Sequence, residues 1–223
     1  MFIGHNGLGF ALKRVAPEVS LTSLFTAVQL PDLLWPILLS TGTEAVQPVK
    51  GSNGFLNLEF VSYPYSHSLL SNVILAFAFG IGWRFLGPSR SWSSAGILSV
   101  AVLSHWLLDW VTHIPDLPLT LSGEAKFGLG LWRSMPLTFT VEVLLFSIGT
   151  ALYAKHTRAK SRGGSVALWL FVALMGIIYV ANAMGPPPPS PEAVAYVGLS
   201  SWLLVLWAYW MDCTRSQAAL KVR

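Results

Sequence analysis

The chain has a single cysteine among its 223 residues, Cys213, which excludes an internal disulfide and any cysteine-rich metal site. Charge is scarce: only 11% of residues are Asp, Glu, Lys or Arg. No basic amphipathic face is present. The Lys and Arg residues sit in short loops between apolar runs, so the net charge of +4 does not point to a nucleic-acid partner. Met1 to Leu12 has no basic residue ahead of its apolar part, with Lys13 and Arg14 coming after it, so no cleavable signal is expected and the segment should stay in the mature protein.

What is abundant is apolar surface. Hydrophobic residues make up 53% of the chain and the mean hydropathy is +0.58. Soluble domains carry roughly 45–50% even when glycine is counted, so these values predict a polytopic integral membrane protein. Five runs are long enough to cross hydrocarbon: 66–87, 93–113, 136–156, 165–185 and 193–211. A sixth, 21–40, is interrupted by Gln29, Pro31 and Asp32, and Pro31 should kink it near mid-membrane. Met1 to Leu12 would span only about 18 Å as a helix, too short to cross alone.

Six spans place both ends of the bundle on one side. That side then holds eleven Lys and Arg residues (Lys13, Arg14, Arg84, Arg90, Lys155, Arg158, Lys160, Arg162, Arg215, Lys221 and Arg223), while the other holds three, Lys50, Lys126 and Arg133. The bias assigns the basic side to the cytoplasm and implies a bacterial inner (plasma) membrane protein. The expected fold class is thus all-α: one membrane domain over 1–223, six helices plus a short amino-terminal half-helix. Residues 1–135 carry the candidate site and 136–223 supply supporting helices. The glycines Gly4, Gly7 and Gly9 follow no strand, which excludes a dinucleotide fingerprint and suggests close helix packing. Pro186 to Pro189 reads as a stiff spacer.

Against this background, Ser104 to Asp116 concentrates two of the five histidines and two of the four aspartates. His105, Asp109 and His113 fall on one helical face, and Pro115 should end the helix near His113. The bland alternative is a polar edge where a helix meets water, with Trp106 and Trp110 in an interfacial belt. Depth favours a site. Asp32, His67, His105, Asp109 and Glu142 all fall in the outer half of their spans, and ionisable groups there cost about 2.5–3.5 kcal/mol each on insertion scales. If Met1 to Leu12 dips into the bundle as a half-helix, His5 lies about 12 Å up from Lys13 and could approach Asp32; otherwise it is a packed histidine. His156, among basic residues, reads as a surface residue.

Carboxylates and imidazoles together suit a divalent metal, zinc by preference with manganese or iron as alternatives, or a proton relay in a transporter. A third reading is a non-catalytic protein with a structural metal or polar cluster. His67, His105 and Asp109 are the preferred ligands, with His5 a further one. Asp32 is a fourth ligand or a general base, while His113, Asp116 and Glu142 are candidates to orient the imidazoles.

The segments Gly4-His5-Asn6-Gly7, Pro31-Asp32, Ser66-His67-Ser68-Leu69, and His105 to Asp109 with Thr112 also carry a resemblance. Over about residues 1–135 the chain resembles the predicted membrane-bound, metal-dependent hydrolases, the YdjM-like integral membrane proteins. Two positions depart from that pattern: Ser66 stands for a threonine, and Leu33 and Leu34 follow Asp32 where a dinuclear site would want a second acid. The resemblance strengthens the metal reading; a catalytic pocket of this kind would carry out metal-assisted hydrolysis of an ester or phosphoester, with the bilayer as partner and a lipid-like molecule as candidate substrate. It leaves the oligomeric state open.

Overall fold

The computed structural model describes residues 1–51 and 55–218; Lys221 and Arg223 of the basic tally lie outside the described residues. In chain order, α1 (Ile3–Leu12) is followed by α2 (Leu21–Val28), α3 (Leu30–Ser40), and a hairpin of β1 (Ala45–Pro48) and β2 (Leu58–Ser62). Then come the one-turn α4 (Pro64–His67), α5 (Leu69–Leu86), α6 (Trp92–Thr112), and a short β3 (Leu117–Pro118) and β4 (Lys126–Phe127) pair. The remainder is α7 (Met135–His156), β5 (Thr157–Ala159), α8 (Arg162–Met184), α9 (Pro191–Leu199), α10 (Ser201–Thr214) and β6 (Arg215–Gln217), which pairs with β5.

Five segments are long and apolar enough to cross a membrane: α5, α6, α7, α8, and the continuous stretch Pro191–Thr214 formed by α9 and α10. Together α2 and α3 meet the same criterion as a pair bent by 58°, making up to six spans. The protein is an all-α membrane bundle. The bend falls at Gln29, ahead of the expected Pro31. Pro31 sits in the first turn of α3, where its missing N–H costs nothing. The second span also starts later than its hydropathy suggests: Ser68 interrupts the helix and caps α5 by accepting from the Ser71 N–H.

The short α1 is buried within the bundle along α7. A Cβ on Gly7 would lie 2.6 Å from the Leu145 carbonyl oxygen, and one on Gly149 would press still closer on Gly7. Only glycine permits this approach of backbones. Phe10 anchors the far end of α1, packing at 4.9–6.2 Å between ring centroids against Phe25, Phe146, Tyr153 and Phe171. Asp212 of α10 caps α2, accepting from the Leu21 and Thr22 N–H groups at 2.9 Å and the Thr22 hydroxyl at 2.7 Å. Arg215 ties β6 to the start of α8 through the Gly164 carbonyl at 3.0 Å. These contacts gather one end of the bundle. The other half holds the polar cluster.

Candidate metal centre

α6 supplies His105 and Asp109 one turn apart, both buried. His105 Nδ1 meets the Val28 carbonyl at 2.8 Å. A carbonyl can only accept, so Nδ1 carries a proton, and in the neutral imidazole Nε2 presents a lone pair. Val28 is the last residue of α2, and a helix end leaves such carbonyls without an in-helix donor. The break at Gln29 therefore orients His105.

His67 is fixed by an equivalent chain. Glu44, buried after α3, accepts from the Tyr65 and Ser66 N–H groups at 2.7 and 2.9 Å and from the Ser66 hydroxyl at 2.7 Å. With that hydroxyl proton committed to the carboxylate, Ser66 Oγ accepts from His67 Nδ1 at 2.7 Å. His67 Nε2 is again the lone-pair nitrogen.

Both Nε2 atoms point at carboxylate oxygens. His105 Nε2 is 3.1 Å from Asp109 Oδ2 and 3.7 Å from Asp32 Oδ1. His67 Nε2 is 3.2 Å from Asp32 Oδ1 and 3.9 Å from Asp109 Oδ2. With both imidazoles neutral, their Nε2 lone pairs face anionic oxygens and repel unless a proton or a metal ion lies between them. A tetrahedral ion with donors at roughly 2.0–2.1 Å sets those donors about 3.3 Å apart, within the observed range. Two sets, His5 with His105 and Asp109, and Asp32 with His67 and His105, each bring ligand atoms within 4.8 Å of one another and could hold a metal ion.

His5 reaches the cluster, but through Asp109 Oδ1 at 3.0 Å rather than through Asp32, and its ring stacks on His105 with centroids 3.9 Å apart. The Met1 amino group also contacts Asp109 Oδ1. Glu142 holds this arrangement from α7, its Oε2 accepting from the Phe2 and Gly4 N–H groups at 2.8 and 3.1 Å. It thus caps α1 and sets where His5 lies, without touching an imidazole.

His113 does not join the face shared by His105 and Asp109. α6 ends at Thr112 with His113 as its C-cap, and partners from beyond the helix hold the His113 ring. Its Nδ1 meets Asp116 Oδ1 at 2.9 Å, Tyr63 donates to the same oxygen at 3.1 Å, and Trp132 packs on the ring at 4.1 Å. So Asp116 orients His113 rather than an imidazole of the cluster. Burial and the neighbouring Asp116 carboxylate hold the Tyr63 phenol well above its usual pKa, keeping it a donor. His156, at the end of α7, stands apart from these residues, its ring bonding the Leu152 carbonyl.

Of the five residues around the two sets, Asp32 alone has an appreciably exposed side chain, 36% against 6% or less for His5, His67, His105 and Asp109. The opening of the cluster is therefore at Asp32. The chain matches no family model, no curated protein and no solved structure.

Proposed function

We propose that this chain is a membrane-embedded, metal-dependent hydrolase acting on an ester or phosphoester with an apolar part. The observation that carries the reading is the pair of tautomer-locked imidazoles whose Nε2 lone pairs converge on two aspartates. The four segments that carry the family resemblance also meet at this cluster. Imidazole and carboxylate donors at tetrahedral spacing favour zinc, and the same donors accept manganese or iron. When bound, such an ion polarises a substrate oxygen and lowers the pKa of a bound water towards neutrality.

His67, His105 and Asp109 would hold the ion, with His5 beside them. Asp32, at the mouth, is placed to take a proton from an incoming water, and its exposure gives that proton a route out. The buried histidines and Asp109 exclude bulk water from the opposite side. A relay for transport would string ionisable groups across the bundle, whereas this cluster is compact. The basic bias supports an orientation in a bacterial inner membrane with the cluster towards the outside.

The test pairs metal content with turnover. His67→Ala, His105→Ala and Asp109→Ala should each lose most of the metal that co-purifies with wild type, while His156→Ala retains it. Asp32→Asn, nearly isosteric but unable to act as a base, should keep much of the metal and lose hydrolysis of phospholipids or soluble phosphoesters in nanodiscs. Equal metal in every variant would refute the centre. Metal-independent solute flux requiring Asp32 and His105, with no turnover, would replace the hydrolase by a transporter.

A further inference from the structure

At the other end of α6 from His105 and Asp109, a groove of about 360 Å³ runs between the close of α1 and the first turns of α6. Leu12, Val15, Trp92, Gly96, Ile97 and Val100 line it. Val15, Trp92 and Val100 are 61%, 63% and 64% exposed, and apolar surface so bare on a membrane-crossing helix belongs against hydrocarbon. Gly96 and Asp109 are separated along α6 by about 20 Å at 1.5 Å per residue, so the groove is distinct from the metal cluster.

Arginines flank the groove. The Arg84 guanidinium lies 5.0 Å over the Trp92 ring, while the exposed Arg14 adjoins Val15 and the exposed Arg90 lies two residues before Trp92 in the chain. Among the described residues no arginine is ion-paired with a carboxylate. Of the acids at this end, Glu18 accepts from the Ser94 hydroxyl at 2.7 Å in the first turn of α6 and lies near Lys13, and Asp212 caps α2. Lys13 is turned inward, donating to the Pro17 and Val19 carbonyls. An apolar slot topped by Arg84 and flanked in the chain by Arg14 and Arg90 matches a molecule with an acyl chain below and net negative charge above.

We propose that this groove binds one anionic phospholipid of the bilayer, its acyl chain along Trp92, Gly96 and Val100 and its phosphate at Arg14 and Arg84. A zwitterionic headgroup offers the same acyl chain but cancels the charge that the rim selects. The site is independent of whether the metal cluster is catalytic. It assigns to the basic end a recognition role beyond orienting the chain.

Native mass spectrometry of the full chain in detergent, titrated with phosphatidylglycerol or phosphatidylcholine, tests the assignment. Wild type should retain phosphatidylglycerol about tenfold better, and the Arg14→Gln/Arg84→Gln double variant should lose that preference. A Cβ on Gly96 meets nothing within 4 Å, so Gly96→Leu places its side chain in open groove space and should abolish retention. Gly176 on α8 is equally open, so Gly176→Leu should behave as wild type. Equal retention of the two lipids by wild type, or undiminished retention by folded Gly96→Leu, would overturn the proposal. Should Gly96→Leu not fold, the double variant decides: an unchanged preference overturns the proposal and a lost one supports it.

Discussion

Replacing Glu44 by glutamine changes one atom in a residue that touches no candidate ligand, yet it should disable His67. In wild type, Oε1 accepts from the Tyr65 and Ser66 N–H groups, and Oε2 takes the Ser66 hydroxyl proton. Glutamine keeps an oxygen for the two backbone donors but puts an NH₂ where Oε2 was. That NH₂ must donate to Ser66 Oγ, so the hydroxyl proton turns to His67 Nδ1 and forces the imidazole proton onto Nε2. A protonated Nε2 cannot ligate. Changes to groups that orient a metal-binding histidine typically weaken affinity by 10–100-fold, or about 1.4–2.7 kcal/mol. Competition against a calibrated chelator in detergent would measure it, with the unfolding temperature as a check on fold. Glu44→Gln binding metal as tightly as wild type, while His67→Ala does not, would refute the tautomer argument.

Gly149→Ala should force α1 off α7, lowering stability by roughly 1–3 kcal/mol and weakening metal binding because His5 rides on α1; thermal unfolding and metal content would show both, and Gly176→Ala should show neither. Ser122 lies in the turn joining β3 and β4, and Ser161 just precedes α8. On a Cys213→Ser background, Ser122→Cys should react with an impermeant thiol reagent from outside intact cells and Ser161→Cys should not; the reverse pattern would invert the proposed orientation.

The long helices were legible because hydropathy alone sets them. The expected run 93–113 and the observed α6 differ by one residue at each end. What hydropathy does not encode is where a span breaks. Gln29 rather than Pro31 ends the first segment, since proline is as suited to starting α3 as to kinking a continuous helix. His105 and Asp109 could be paired from a helical wheel because both lie inside α6, and the same wheel failed for His113 because Asp116 and Trp132, beyond the helix, hold its ring. Glu44 was invisible for a different reason: it sits in a loop 22 residues before Ser66, and no periodicity links a loop carboxylate to the turn it caps. Tyr63 and Trp132, which surround His113, likewise meet it only through tertiary folding.

The backbone contact between Gly7 and Gly149 also orders events during synthesis. α1 leaves the ribosome early, yet it is too short to cross the bilayer, and its Glu142 cap and Gly149 seat belong to a helix made more than a hundred residues later. At ~5–20 residues per second, His5 and Asn6 wait on the order of ten seconds for that seat. Until α7 is inserted, α1 has Phe25 of α2 to pack on but neither the Gly149 seat nor the Glu142 cap. A truncated chain ending before α7 would therefore hold its four-residue neighbourhood around Asp109 open, and the final form of the cluster is a product of the last half of translation rather than of the segment in which most of its ligands are written.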